Sequence, residues 1–372
     1  MISLSLKLAL QSLGITIFTP IDFALYFYDA SAASSITISN PSGTLLVSSW
    51  ESTAGTNDIG RTLSQGVSLD QPQYNGSNRV TFADTSDVLT FNTAVAQAGW
   101  QIVGTSRGTF AYRINALSQS AIRLFGNQGG DGPVHTTGDL YGVIYLPDNV
   151  STSMVDEARQ LLIDKGAANE PVGNSMLDWW RNRYDIIEFG HRDFSLISTF
   201  QGSWNGCSSL TSFPLIDTSN GINFQGSWNG CSSLTSFPLI DTSNGMSFST
   251  TWQSCSSLTS FPLINTSNST TFRNAWNSCT SLTSFPAGFF DNWTGTPVAN
   301  CFLTTWGFTT ALTAASVENI FNSINASGKV APASGKEITV VYNTATGTPN
   351  ITTAVTNLKS RGWTPRLNGT LL

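Results

Sequence analysis

Apolar positions follow a long rhythm in the middle of the chain. Phe200, Trp204 and Cys207 lie at i, i+4 and i+7, followed by Leu210, Phe213 and Leu215 as L-x-x-F-x-L. The pattern recurs at steps of 24: Trp204, Trp228, Trp252 and Trp276 keep the step, as do Pro214, Pro238, Pro262 and Pro286. The first spacing predicts one face of two helical turns, and the second predicts a short strand after a turn. Asp217-Thr-Ser-Asn220-Gly221 is turn chemistry, with Gly221 expected at positive φ. No unit of this size can bury its aromatic face alone, so successive units must stack. The expected core is Trp204, Cys207, Leu210 and Phe213; Trp228, Cys231, Leu234 and Phe237; Trp252, Cys255, Leu258 and Phe261; and Trp276, Cys279, Leu282 and Phe285. The alternative for the tryptophans is a row of exposed platforms for sugar stacking.

The motif C-S-S-L-T-S-F-P-L-I-D-T-S-N resembles the BspA-like leucine-rich repeats of bacterial surface proteins and phage structural proteins, over residues 196–300. The resemblance implies a right-handed solenoid with a parallel sheet on one face, serving adhesion or assembly rather than catalysis. Proline at 214, 238, 262 and 286 departs from it, because each removes a ladder donor inside the expected strand. If L-x-x-F-x-L points inward, the residues between line a partner-binding stripe. They are Ser212, Pro214, Ile216 and Asp217, then Ser236, Pro238, Ile240 and Asp241, then Ser260, Pro262, Ile264 and Asn265. The alternative is that Ile216 packs inward at a turn. Asp217 and Asp241, near neighbours in a stack, read as Asx caps of the turn, with Ca2+ binding as the alternative.

The flanks change rhythm. Residues 1–10 alternate with period two, which predicts a half-buried strand, and residues 1–130 read as a mainly-β N-terminal domain. Residues 49–84 resemble, weakly, the concanavalin-like jelly rolls. Residues 131–195 read as an α/β linker and N-terminal cap, with a strand at 141–145 and a helix at 153–164. After residue 300 the 24-residue pattern dissolves. A helix over 312–324 with Thr313 as its cap, a strand over 336–342 and a helix over 351–360 predict α/β capping repeats in 301–372. The expected fold is therefore a mainly-β domain, sandwich or jelly-roll-like or α+β, followed by an α/β leucine-rich-repeat solenoid with α/β caps.

Charge narrows the function. Only 11% of residues are charged, against roughly a quarter in ordinary domains, and the net charge is −6. An acidic chain without Lys/Arg clusters is not built for nucleic acid. The start lacks the pattern of an export signal, and no apolar run predicts a membrane span. Five cysteines, four of them at the 24-residue step, lack zinc-site spacing and read as buried thiols.

His135, His191 beside Asp193, the loop 126–132 and the acid pairs Asp84/Asp87 and Asp131/Asp139 select no catalytic set. No catalytic residue, cofactor or metal is expected. The resemblance, taken with the low charge, the Ser/Thr/Asn-rich surface and the missing export pattern, points to a virion structural protein: a phage tail fibre, tip or receptor-binding adhesin. Its N-terminal domain would dock on other virion proteins and its solenoid on a host glycan or protein, with no nucleic acid or membrane partner. A capsid decoration protein, a bacterial adhesin and a polysaccharide depolymerase are the alternatives. Fibre proteins are often homotrimers, though no coiled-coil heptads here enforce one.

Overall fold

The computed structural model describes residues 26–29, 36–39, 46–51, 62–64, 73–74, 80–82, 89–91, 99–105, 108–114, 123–125, 138–147, 152–164, 167–168, 174–190 and 194–372. The period-two opening at 1–10, the loop 126–132, Asp84, Asp87, Asp131, His135, His191 and Asp193 lie outside them. The chain forms two compact units, 1–121 with 137–169, and 122–136 with 170–372.

The first unit is mainly antiparallel β. Its strands are β1 (Tyr26–Asp29), β2 (Ile36–Ser39), β3 (Leu46–Glu51), β4 (Thr62–Ser64), β5 (Gln73–Tyr74), β6 (Val80–Phe82), β7 (Leu89–Phe91), β8 (Gly99–Thr105) and β9 (Gly108–Ile114). A short β10 (Arg123–Phe125) falls in the second unit, and β11 (Gly138–Pro147) returns to the first. The order runs β7-β4-β3-β5-β6-β11-β8-β9, with β1 on β11 and β2 on β3. The tight hairpin β8–β9 pairs Gly99 with Ile114 through Thr105 with Gly108. Helix α1 (Thr152–Asp164) buries Val155, Ala158 and Leu162 against Trp100, Ile102 and Ala111. Gly104 permits that approach, because a Cβ there would lie 2.7 Å from the Leu162 Cβ. The segment expected as a linker thus supplies both the long strand and the helix of this unit.

The second unit is a stack of 24-residue units joined by their own backbone. Segment 200–207 forms no α-helix, which corrects the reading from i, i+4, i+7 spacing. The N–H groups of Ser203, Asn205 and Cys207 donate three residues back, to Phe200, Gly202 and Trp204. Those of Phe200, Gly202, Trp204 and Gly206 donate instead to the next unit, to Asn223 (2.8 Å), Gln225 (2.9 Å), Ser227 (2.8 Å) and Asn229 (2.7 Å). A helix would bond every amide four residues back, within the segment. Here successive β-turns leave every second N–H free to tie adjacent units together.

The turn repeats every four residues because the backbone enters the left-handed region that often. Gly202, Gly206, Gly226 and Gly230 have φ between 63° and 77°, and Thr250, Ser254, Asn274 and Ser278 hold the same positions at 55° to 63°. A four-residue turn and an α-helix both bring i and i+4 to one face, so Phe200 and Trp204 point inward in either. Gly221 is not at positive φ. It is small because a Cβ would collide with the Phe224 ring, as one at Gly245 would with Phe248.

Stacking carries the side chains with it. Trp180, Trp204, Trp228, Trp252, Trp276 and Trp306 form one column with ring centroids 5.2–6.0 Å apart. Phe200, Phe224, Phe248, Phe272 and Phe302 form a second at 5.2–5.9 Å. Phe213, Phe237, Phe261 and Phe285 form a third at 5.8–6.1 Å, meeting the indoles edge-on. Each buried Phe or Leu contributes roughly 1.5–3 kcal/mol, and each ring pair about 0.5–1.5 kcal/mol more. This outweighs the indole N–H groups of Trp204, Trp228, Trp252, Trp276 and Trp306, which are buried without an acceptor. All sixteen expected core residues are buried.

Two units were hidden from the sequence pattern. Residues 176–190 and 194–199 belong to the first, with Trp180 in the indole column and positive φ at Asp178 and Asn182. Arg183 stands 24 residues before Cys207 and is buried in a bidentate pair with Asp185, at 2.6 and 2.5 Å. The last unit follows an insertion that carries Phe289, Phe290 and Trp293 into the core. Phe272, Asn274, Trp276 and Ser278 donate across it to Cys301, Leu303, Thr305 and Gly307. The repeat therefore does not dissolve at residue 300, because Phe302 and Trp306 continue its columns.

The expected strand is also reduced. The short strand β12 (Ile186–Phe189) opens this side. Beyond it, the backbone bonds here are Thr235 to Thr211, Thr259 to Thr235, and both Thr283 and Ser284 to Thr259, with one bridge, Ser260 with Ser284. Proline at 214, 238 and 262 cannot donate, which limits a ladder. Helix α2 (Ala314–Ala326) covers the far end, its N-terminus capped by Thr313 and Ser316 Oγ accepting from the Phe285 N–H at 3.0 Å. Then β13 (Glu337–Val340), α3 (Thr352–Ser360), β14 (Thr364–Leu367) and β15 (Thr370–Leu371) complete the chain, and Trp363 packs on Phe302.

The cysteines form a further column. The thiols of Cys207, Cys231, Cys255 and Cys279 reach the carbonyls of Trp180, Trp204, Trp228 and Trp252 at 3.1–3.3 Å. Burial pushes Cys207, Cys279 and Cys301 up to about 12, and Cys231 and Cys255 well above 9. Unfolded cysteines ionise from about pH 9, so between there and about 12 the unfolded state binds fewer protons. The contribution to stability is whole below that window and is lost as pH rises through it. The urea midpoint should fall across this window, and less so in Cys279→Ala; equal falls in both chains would contradict the assignment.

Candidate functional site: the outward faces of the stack

The stripe expected from alternation is rearranged. Ser212, Ser236 and Ser260 are exposed and Pro214, Pro238 and Pro262 half-buried, but Ile216, Ile240 and Ile264 pack inward at 2–3% exposure. Leu215, Leu239 and Leu263 take the outward place at 53–61%. The cause is local. The N–H groups of Ile240 and Ile264 donate to Pro238 and Pro262 two residues back, each at 3.0 Å. That three-residue turn throws its central leucine out and breaks the period-two alternation. The outward row is therefore Ser, Pro and Leu, and the isoleucines belong to the core.

Asp217, Asp241 and Asn265 lie exposed beyond that row. Each Oδ1 accepts the backbone N–H two residues on, from Ser219 (3.0 Å), Ser243 (2.9 Å) and Ser267 (2.9 Å). These are Asx turns, and the neutral Asn265 serves as well as either carboxylate. Behind them Thr218, Thr242 and Thr266 turn inward and donate to the carbonyls of Asp241, Asn265 and Phe289. Among the described residues no group of three or more His, Cys, Asp or Glu converges as metal ligands do. Nor is any helix there long and apolar enough to cross a membrane.

A second outward face was not read from sequence. Asn220, Asn244 and Asn268, with Ile222 and Met246, line an open groove of about 450 Å³ along the stack. Each asparagine Nδ2 donates to a carbonyl of the preceding unit, Ser195 (2.6 Å), Ser219 (2.7 Å) and Ser243 (2.7 Å). The floor is tight because Gly221 and Gly245 let Phe224 and Phe248 come up beneath it. Ile222 and Met246 remain nearly half exposed. The signal was present as Asn220 at the unit's period, but its direction depends on the turn geometry. Asn220 read as turn chemistry is equally a ladder residue.

The exchange of leucine and isoleucine is testable by paired substitution. Leu239→Ser should change unfolding free energy by no more than about 0.5 kcal/mol, whereas Ile240→Ala should cost about 2–5 kcal/mol, as read by denaturant titration. The reverse order would restore the isoleucine stripe. No protein-family model, no curated protein and no solved structure matches this chain.

Proposed function

We propose that this chain is a virion structural protein, a phage tail fibre, tip or receptor-binding adhesin built on a BspA-like leucine-rich-repeat solenoid. In this reading the N-terminal β unit attaches to other virion proteins, and the stacked repeats present an outward face to a host-surface polysaccharide or protein. The observation that carries it is the uncharged, periodic surface of the stack. Residues 200–264 contain two charged side chains, Asp217 and Asp241, and both cap turns. The rest of the outward face is serine, threonine, asparagine, proline and leucine in rows fixed by backbone bonds between units.

Such rows support binding without turnover. A rigid scaffold loses little conformational entropy when a ligand docks. Neutral amides and hydroxyls suit the hydroxyls of surface glycans, and the leucine row suits an apolar protein partner.

Mass spectrometry of purified phage particles from the source culture tests this directly. The chain should appear in intact virions at a fixed copy ratio to the tail proteins. A ratio matching the major capsid protein would favour a decoration protein. Absence from particles with presence on the bacterial surface would favour a bacterial adhesin, and cleavage of a surface polymer by the purified chain would favour a depolymerase.

A further inference from the structure

We infer that the groove over Asn220, Asn244 and Asn268 binds an extended, neutral polysaccharide, with one sugar residue for each 24-residue unit. The inference rests on the adhesin reading and assigns its ligand class and its site. The chemistry begins with what each amide has left to offer. One N–H of each Nδ2 is committed to a carbonyl of the preceding unit. The second N–H and the Oδ1 have no partner among the described residues, and all three side chains are exposed. Every unit thus presents one donor and one acceptor from a planar group already held in place. A pair of neighbouring hydroxyls on a sugar ring offers the complementary acceptor and donor.

The remaining lining fits the same class. Among the described residues no charged side chain lines the groove, so an anionic polymer finds no counter-charge from them. Ile222 and Met246 supply exposed apolar surface between the amides, suited to the C–H faces of pyranose rings. Spacing separates a glycan from a peptide. The phenylalanine column under the groove advances 5.2, 5.3 and 5.7 Å per unit. An extended peptide repeats its side chains on one face every two residues, about 6.4–6.8 Å, and overshoots by roughly 1 Å at each unit. An extended, equatorially linked pyranose chain advances by close to one unit per sugar, and because successive rings face alternately, the same pair of hydroxyls returns to the ladder at every second unit. Each unit contributes few bonds in an open groove, so binding at one site is weak and gains strength from several copies on a particle.

The test uses the full chain on an array of neutral and anionic oligosaccharides. Calorimetric titration follows with a neutral β-(1→4)-linked hexasaccharide that scores there and a β-(1→4)-linked oligoglucuronate of equal length. Neutral extended glycans should bind and the oligoglucuronate should not. Met246→Glu, at an exposed groove position, should weaken the neutral glycan about tenfold or more, while Val330→Glu, exposed beyond helix α2, should not. Ile222→Glu serves the same purpose if Met246→Glu fails to fold. Failure of every neutral glycan to bind, or unchanged affinity in a folded groove variant, overturns the inference.

The two readings fail separately. A chain found in virions that adheres to cells regardless of the groove variants retires the groove alone. A chain absent from virions that still binds neutral glycan through Met246 retires the virion assignment alone.

Discussion

The architecture of the second unit depends on one interaction, the hydrogen bond from every second backbone N–H of the turn ribbon in one repeat, residues 200–206 and their equivalents, to a carbonyl of the next. Trp204 donating to Ser227 and Trp228 donating to Thr251 are two rungs of that ladder. Because these bonds are set by backbone geometry, identical side chains are forced to lie one above another. The indole, phenylalanine and thiol columns follow from it, as do the exposed leucines and asparagines. The turn bonds within each unit satisfy the alternate amides, so the buried backbone is paired without a helix or a wide sheet. Polar side chains finish the accounting: Ser227 Oγ lies 2.7 Å from the Phe200 carbonyl, and Thr251 Oγ1 lies 2.9 Å from that of Phe224.

Much of this stack was legible because the period is strict. A 24-residue step in Trp204, Phe213 and Cys207 requires repeated environments whatever the local conformation, and these residues are buried in columns. Local conformation was less legible. The i, i+4 spacing of Phe200 and Trp204 is shared by a helix and by a ribbon of four-residue turns. The deciding signal was Gly202 and Gly206, four apart, which an α-helix disfavours and a recurring left-handed residue welcomes. Later units hide that signal by placing Thr250 and Ser254 in the same conformation. Pro238 exchanged Leu239 for Ile240 because a three-residue turn has no counterpart in a simple alternating pattern. The first unit was masked by Arg183 and Asp185 where the others carry Cys and Ser. The last was masked by the insertion before Phe302.

Chemistry on the outer faces follows from the same constraint. A stack held by neutral bonds needs few surface charges for its construction, and the described repeats spend almost none. Asp217 and Asp241 share with Asn265 the role of accepting the backbone N–H two residues on. The asparagine ladder differs: its amides bond one unit and leave donor and acceptor atoms facing outward in sequence. The open asparagine-lined groove is thus a consequence of stacking asparagine at a turn, and the leucine row is a consequence of turning at proline.

Excision of one repeat most directly tests the claim that the units stack in register through their backbones. Removing residues 224–247 from the full chain takes out one whole period and lets Phe200 meet Phe248, so the shortened chain should fold cooperatively with native-like tryptophan fluorescence and somewhat lower stability. Removing residues 224–235 leaves half a period and sets indoles against unlike neighbours, and that chain should fail to fold. Equal outcomes for the two deletions would mean that the columns do not hold the structure together.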